Sequence, residues 1–310
     1  MSSTGSAGVA HAPSLAPAPC LAPPPAEPPR LLQVPRGAWD VHAHVIGDTA
    51  AMVPQRAYTP PAASVAQYLA MLDRVGIDFG VLVQISVHGF DNSLLLDALR
   101  RHPDRLRGVA VIRPDAPDRE LRELKEAGVV GIRVNEHFAG GSSADQLEVL
   151  SRRCIELGWH VNLALHADRL RELAPRLTRL GVRMVVDHIG YGQASKGVQH
   201  PDFQALLSLL RDSDTWVKLT CAYRISDLEP PYADTQPLVR ALLAAAPERL
   251  VWGSDWPHVA LREPARMPQV GSLLDTLHTQ LKDPVTEQAV LVGNPWRLYG
   301  ADMPERGKTI

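Results

Sequence analysis

Residues 159–190 read WHVNLALHADRLRELAPRLTRLGVRMVVDHIG and contain a complete strand–helix–strand pattern. The flanking runs WHVNLALH (159–166) and RMVVDHIG (183–190) are apolar on both faces, which is typical of parallel strands that are covered on both sides. Between them, four leucines at positions i, i+3, i+7 and i+10 share one face of a helix: Leu170, Leu173, Leu177 and Leu180. Gly181 follows, where a left-handed residue commonly ends a helix. The stretch therefore predicts a parallel βαβ unit.

The same alternation continues along the chain from residue 40. The strand-like runs are 40–45, 79–86, 106–113, 129–136, 159–166, 183–190, 215–223 and 249–255. Helical patterns separate these runs, and Gly76, Gly128 and Gly158 stand at predicted helix ends. Eight strands that alternate with helices over about 260 residues predict an α/β fold, the (β/α)8 TIM barrel. A doubly wound open sheet is the rival, but no glycine-rich fingerprint follows the first strand.

Composition limits the classes of partner that this chain can have. The 310 residues are 45% hydrophobic and 21% charged, as in globular proteins. A net charge of -2 predicts neither a nucleic-acid partner nor a membrane partner. Cys20, Cys154 and Cys221 are widely spaced and form no CxxC pair, so we expect no disulfide framework and no thiolate zinc site. These features predict a cytoplasmic protein.

The first 36 residues differ in composition from the rest. Residues 1–36 are dense in proline and alanine and show no apolar periodicity, which predicts a disordered or polyproline-like arm without core contacts. A signal peptide is not expected, because no Lys or Arg precedes the apolar residues and prolines interrupt them. Residues 37–310 are predicted to form one barrel domain.

Polar side chains stand at the carboxyl ends of the predicted strands. They are His42, His44, Ser86, Arg113, Arg133, Asn135, His166, Asp187, His188, Tyr223, Arg224 and Asp255. Active sites of (β/α)8 barrels are built at these ends. Buried charges cost several kcal/mol each unless they are paired, so this density of ionisable groups indicates a functional site.

The pair in DVHAHV (40–45) is the most informative part of this set. Because strand side chains alternate, His42 and His44 lie on the same face. Strands one and eight are neighbours in a closed barrel, so Asp255 is expected to meet both histidines. A lone histidine would be read as a hydrogen-bonded core residue. The pair together with Asp255 favours a catalytic site.

Four motifs, DVHAHV, VDHIGY, GSDWPH and GNPWRLYG, resemble the amidohydrolase superfamily over roughly residues 37–300. Within it they are most similar to the lactonase branch typified by 2-pyrone-4,6-dicarboxylate lactonase, which also includes 4-sulfomuconolactone and sugar-acid lactonases. The resemblance implies that Asp255 is the general base that activates water. It also implies that His42, His44 and His188 surround the scissile carbonyl.

The resemblance further implies four substrate contacts: Tyr58, Ser86, Arg133 and Arg224. Independently, arginine suits bidentate capture of a carboxylate or sulfonate. The alternative for each arginine is a buried ion pair with a strand neighbour, and for Tyr58 and Ser86 it is a structural hydroxyl. The dicarboxylate lactonase carries a second arginine shortly after the one in strand four. Here no Lys or Arg occurs between Arg133 and Arg152, which argues against a tightly held 4,6-dicarboxylate.

His166 is a second departure from that branch. Metal-dependent amidohydrolases place a ligand histidine at the end of strand five, whereas the pyrone lactonase lacks it and works without metal. By this resemblance, one Zn²⁺ or Mn²⁺ would be held by His42, His44, His166 and Asp255, with His188 left as acid or base. Alternatively, His166 caps the next helix or binds substrate. Both interpretations stay open at the level of the sequence.

The sequence therefore predicts a hydrolase that opens the ring of a small anionic lactone. One alternative is a metal-dependent decarboxylase of the aminocarboxymuconate-semialdehyde type, which shares the HxH pair, the strand-five histidine and the strand-eight aspartate. Another alternative is a barrel that only binds an anionic metabolite. The sequence does not name the lactone or the oligomeric state.

Overall fold

The computed structural model of the chain describes residues 17, 19–48, 52–138, 140–300 and 303. Within these residues, eight parallel strands pair in chain order from β1 to β8. They are β1 Trp39–Ala43, β2 Phe79–Val83, β3 Leu106–Ala110, β4 Val129–Asn135, β5 His160–Ala164, β6 Met184–Val186, β7 Thr215–Leu219 and β8 Leu250–Trp252. Seven of the eight predicted runs contain one of these strands, and β1 begins one residue before its predicted run of 40–45.

Residues that follow β8 close the barrel against β1. The backbone N–H of Asp255 donates to the carbonyl oxygen of His42 at 2.8 Å, and the N–H of His44 donates to the carbonyl oxygen of Trp256 at 2.8 Å. A parallel bridge between Ala43 and Trp256 lies at the same place. The prediction of a (β/α)8 TIM barrel is therefore confirmed.

Helices follow the strands and cover the barrel. They are α1 Val65–Val75, α2 Ser93–Arg101, α3 Asp118–Glu126, α4 Leu147–Leu157, α5 Ala167–Leu177, α6 Pro201–Asp212, α7 Ala222–Ile225, α8 Gln236–Ala245, α9 Val270–Leu281, α10 Pro284–Gln288 and α11 Asn294–Tyr299. No helix among the residues that the structure describes is long and apolar enough to cross a membrane.

Helix α5 shows how the predicted pattern is realised. Leu170, Leu173 and Leu177 are buried on one face of α5, as predicted. The helix ends before Leu180, which lies half-buried in the turn that leads to β6. Gly181 in that turn has φ +65°, a left-handed value that costs glycine little.

Several strands end earlier than the apolar runs predicted. Strand β5 ends at Ala164 and β6 ends at Val186, so His166 and His188 lie beyond the hydrogen-bonded ladder. His188 has φ 52° and Asp255 has φ 61°. These left-handed turns re-aim both side chains at the top of the barrel, and strained backbone of this kind is concentrated at functional sites.

The end of the proline-rich segment lies against the barrel. The N–H of Cys20 donates to the carbonyl oxygen of Thr59 at 2.8 Å, and the N–H of Leu21 donates to the carbonyl oxygen of Leu261 at 3.0 Å. We call residues 19–32 the N-terminal strap. The strap thus joins the segment after β1 to the segment after β8.

The far end of the strap is also anchored. The carboxylate of Asp275 accepts hydrogen bonds from the backbone N–H groups of three consecutive residues: Arg30, Leu31 and Leu32. Leu32 itself is buried in the main hydrophobic core. The expectation of an arm without core contacts is therefore wrong for the strap, because hydrogen bonds to residues distant in sequence hold it without apolar periodicity. Residues 1–16 and 18 lie outside the described residues, and their disorder stays a prediction.

Candidate active site

Four of the predicted site residues meet at the carboxyl end of the barrel. The Oδ1 atom of Asp255 lies 3.7 Å from Nε2 of His42, 3.6 Å from Nε2 of His44 and 3.9 Å from Nε2 of His188. All four side chains are buried. His42 in β1 and His44, which directly follows it, lie on one face, with ring centroids 5.0 Å apart and planes perpendicular. One carboxylate oxygen therefore faces three imidazole nitrogens.

The other oxygen of Asp255 is held by neighbours that follow β7. The hydroxyl of Tyr223 donates to Oδ2 at 2.7 Å, and the Arg224 guanidinium donates to the same atom at 2.9 and 3.2 Å. Burial alone would raise the pKa of Asp255. The Arg224 charge nevertheless holds that pKa well below its usual range. Asp255 is therefore an anchored carboxylate that is ionised at neutral pH.

Hydrogen bonds orient His44 and His188. The Nδ1 atom of His44 lies 2.7 Å from the carbonyl oxygen of Val83, which can only accept, so Nδ1 carries the proton. In the neutral ring, Nε2 of His44 then presents a lone pair toward Asp255. The Nδ1 atom of His188 lies 2.5 Å from the hydroxyl oxygen of Thr220. Burial lowers the pKa of His188 to about 3, so this ring is neutral at physiological pH.

The Nδ1 side of His42 contacts a buried ion pair, which is formed by Lys218 and Asp187. Its Nδ1 atom lies 3.0 Å from Nζ of Lys218 and 3.3 Å from Oδ1 of Asp187. Nζ of Lys218 lies 3.1 Å from the same Asp187 oxygen, and both side chains are fully buried. Burial, aided by the Lys218 charge, lowers the pKa of His42 well below its usual value. Burial would raise the pKa of Asp187, but the charges of Lys218 and Arg133 hold it well below its usual range.

Both predicted substrate arginines form ion pairs in the structure. Nη2 of Arg133 lies 3.4 Å from Oδ2 of Asp187, and Nη2 of Arg224 lies 2.9 Å from Oδ2 of Asp255. The alternative to substrate binding, an ion pair with a residue at the end of another strand, is therefore present for both Arg133 and Arg224. Arg133 nevertheless keeps a donor free, because its buried Nε has no hydrogen-bond partner among the described residues. Such a donor is costly to bury unless a ligand uses it.

The two predicted hydroxyl contacts pair with each other. The hydroxyl of Tyr58 lies 3.1 Å from Oγ of Ser86, and both residues are buried. Burial raises the pKa of Tyr58 to about 12, so it is a neutral phenol. The Tyr58 ring also meets that of Phe138 edge-on, with centroids 5.0 Å apart. The pair joins the segment after β1 to the turn after β2.

His166 is not brought to the other predicted metal ligands. It lies two residues beyond β5, at the residue that precedes α5, where its side chain is exposed and caps nothing. Its ring lies against that of His137, with centroids 4.4 Å apart. The proposed ligand set is therefore corrected to His42, His44 and Asp255. The early end of β5 is the reason, because it turns this histidine out to the rim.

The three remaining ligand atoms gather within 4.8 Å of one another, and catalytic zinc sites commonly use three protein ligands. Zinc would need a lone pair on Nε2 of both histidines. His44 offers one. Nδ1 of His42 lies 3.0 Å from the Lys218 amine, and the direction of that hydrogen bond decides whether Nε2 of His42 offers the second lone pair. The positions of the three ligand atoms therefore suit a metal, and the location of the His42 ring proton decides whether they can hold one.

Several residues of this site had no role predicted from the sequence, and two of them are informative. Tyr223 stood among the strand-end residues but was given no task. Lys218 was overlooked, although a lysine inside the apolar run TWVKLTCAY is a visible signal. A lysine is almost never fully buried unless it is paired. That rule could have drawn attention to Lys218 as part of an internal network.

Comparison with known proteins identifies the family. A sequence profile described as amidohydrolase matches residues 39–301. The chain is 38% identical to the 4-sulfomuconolactone hydrolase of Hydrogenophaga intermedia over 272 residues, which cover 86% of this chain and 90% of that protein. It is 36% identical to the 2-pyrone-4,6-dicarboxylate hydrolase of Comamonas testosteroni over 280 residues, which cover 86% and 91%.

Solved structures agree with this assignment. The crystal structure of a probable 2-pyrone-4,6-dicarboxylic acid hydrolase from Acinetobacter baumannii, with citric acid bound, superposes with a TM-score of 0.75 at 30% identity. The match covers 85% of this chain and 99% of that one. The chain therefore belongs to the amidohydrolase family and is a hydrolase.

Proposed function

We propose that the chain opens the ring of a lactone that carries a carboxylate or sulfonate, with Asp255 as the general base. The observation that carries this proposal is the asymmetry of Asp255. Its Oδ2 is held by Tyr223 and Arg224, whereas its Oδ1 faces three imidazoles. The names of the relatives support the substrate class, because each refers to an acidic lactone or pyrone.

In the proposed reaction, Oδ1 of Asp255 takes a proton from water as the water oxygen attacks the lactone carbonyl carbon. The ring C–O bond then breaks, and the proton that Oδ1 took from water passes to the departing ring oxygen. Anchoring of Oδ2 fixes the direction in which Oδ1 points, which is the positional contribution expected of a preorganised base. The depressed pKa keeps the base ionised at neutral pH.

The three histidines take different parts in this account. With Nδ1–H on the carbonyl of Val83, neutral His44 can only accept at Nε2, so it orients the attacking water. His42 and His188 present their Nε2 atoms to the carbonyl oxygen and stabilise the charge that develops there. The sequence-based expectation placed all three histidines around the scissile carbonyl, and this proposal gives His44 the attacking water instead.

The anionic group of the substrate is assigned to Arg133 and Arg224. Arg133 has an unpartnered Nε, and Arg224 lies half-buried beside the catalytic carboxylate. Arg–carboxylate bonds are charge-assisted and stronger than neutral ones. Since no Lys or Arg follows Arg133 before Arg152, we assign one tightly held anionic group rather than two.

The geometry favours no second function. The decarboxylase alternative depended on a metal held in part by His166, which lies exposed at the rim of the barrel. A barrel that only binds a metabolite would not require an ionised carboxylate anchored by two donors beside three imidazoles.

A screen with a pH indicator tests the proposal. Lactones that carry a carboxylate or sulfonate are compared with the matched neutral methyl esters, with and without a chelator, and Asp255→Asn serves as the inactive control. We expect acid release from anionic lactones only. Absence of hydrolysis across the anionic panel would contradict the proposal, and release of carbon dioxide would favour the decarboxylase.

A further inference from the structure

We infer that Lys218 fixes the tautomer of His42, so that Nε2 of His42 faces the site as a hydrogen-bond donor. The catalytic use of this donor rests on the proposed function, but the tautomer itself does not. The reaction described above gives Lys218 no task. Its amine is nevertheless buried at the centre of the barrel, where an ammonium costs several kcal/mol unless it is paired.

The contacts of the amine define its role. Nζ of Lys218 lies 3.0 Å from Nδ1 of His42 and 3.1 Å from Oδ1 of Asp187. A lysine ammonium has three N–H donors and no lone pair. It can therefore only donate to the imidazole, which requires a lone pair on Nδ1. The single proton of the neutral His42 ring must then be on Nε2.

Asp187 competes for the same ring nitrogen and would impose the opposite tautomer. Its Oδ1 lies 3.3 Å from Nδ1 of His42 and would require a proton there. That oxygen already receives the Lys218 amine at 3.1 Å and the Asn162 amide at 3.3 Å. The lysine contact with the ring is the shorter one, and Asp187 is satisfied without the histidine. Lys218 therefore determines the outcome.

The consequence is a histidine pair with opposite hydrogen-bonding character. Nε2 of His42 is buried, has no partner among the described residues and carries a proton. In its neutral form, His44 has its lone pair on Nε2, because the Val83 carbonyl holds its Nδ1–H. One nitrogen can donate to a carbonyl oxygen while the other accepts from water. A divalent metal would need two lone pairs, so Lys218 disfavours metal at this position.

Lys218→Met tests the inference, because methionine keeps the length of the side chain and removes the donor. Nδ1 of His42 can then donate to Asp187, which frees a lone pair on Nε2. We expect the equilibrium affinity for Zn²⁺, measured by competition with a chromophoric chelator, to rise about tenfold or more. In histidine-labelled protein, ¹⁵N–¹H correlation spectra should show the His42 proton on Nε2 in the wild type and on Nδ1 in the variant.

Controls separate this effect from general damage and from other zinc sites. Lys125→Met removes an exposed lysine whose amine donates to the Leu157 carbonyl, and it should leave zinc affinity unchanged. The gain should vanish in Lys218→Met/His42→Gln. A melting curve shows whether Lys218→Met is folded, and the wild-type spectrum decides the tautomer even if it is not.

Two results would overturn the inference. One is a wild-type His42 with its proton on Nδ1, and the other is a wild type that binds Zn²⁺ through His42 as tightly as the variant does. The proposed function fails in a different way, through absence of lactone hydrolysis. That failure leaves the tautomer and the zinc affinities as they are, so the two failures are distinguishable.

Discussion

The hydroxyl of Tyr223 donates to Oδ2 of Asp255 over 2.7 Å, and this bond gives the two oxygens of one carboxylate different surroundings. Tyr223 lies in the short helix α7 after β7, whereas Asp255 follows β8. The bond therefore joins the ends of two neighbouring strands at the site. In the proposed reaction, this bond holds the Asp255 carboxylate in place while its Oδ1 atom accepts a proton from water.

Tyr223→Phe should lower kcat by about tenfold with little change in KM, because a hydrogen bond to a charged group contributes about 1.5–3 kcal/mol. Steady-state kinetics on the best anionic lactone measure this split. Tyr299→Phe is the matched control, since it removes a buried hydroxyl that has no hydrogen-bond partner in the described part of the chain. Equal losses in both variants would show that Tyr223 acts only through packing.

Arg224→Met should move the acidic limb of the kcat/KM profile to higher pH. Arg224 holds the pKa of Asp255 down, so removing its charge raises that pKa, and the base is then protonated at a higher pH than in the wild type. Rate measurements across the acid range test this direction. An unmoved limb would mean that the guanidinium does not act on the base.

Arg133→Met gives the contrasting case, because Arg133 pairs with Asp187 and makes no ion pair with Asp255. We expect KM for anionic lactones to rise about tenfold or more. Turnover of the matched neutral esters should change little. A similar loss on charged and neutral substrates would identify Arg133 as a purely structural member of the buried network.

Two features of the sequence predicted that His42, His44 and Asp255 meet. Side-chain alternation places the two histidines on one face, and the count of eight strands makes strands one and eight neighbours. Hydrogen-bond direction was not predictable. The carbonyl of Val83 and the amine of Lys218 reach the two rings from β2 and β7, so only the folded chain shows which nitrogen carries each proton.

His166 and the strap illustrate the other limit of the sequence. The apolar run 159–166 continues two residues beyond the end of β5, and composition cannot show where a ladder stops. The strap has no apolar period, and it is held by backbone donors that composition does not reveal. Its anchors, such as the carbonyl of Thr59 and the carboxylate of Asp275, are distant in sequence.

The strap should support activity as well as stability. Cys20→Pro and Leu21→Pro each remove an N–H that bonds to a segment at the site, at a cost of about 1 kcal/mol. Both should lower Tm and raise KM, whereas Ala22→Pro is the matched control at a neighbouring position. Deletion of residues 1–36 should have a larger effect than deletion of residues 1–16. Unchanged kinetics after the longer deletion would show that the strap is dispensable.

The most direct test of the account is kcat of Asp255→Asn on an anionic lactone that the wild type hydrolyses. Asparagine keeps the shape and the contact with Tyr223 but cannot take a proton from water. We predict a fall in kcat of about 10²-fold or more, with circular dichroism and Tm close to those of the wild type. A folded Asp255→Asn variant with near-normal kcat would contradict the assignment of Asp255 as the general base.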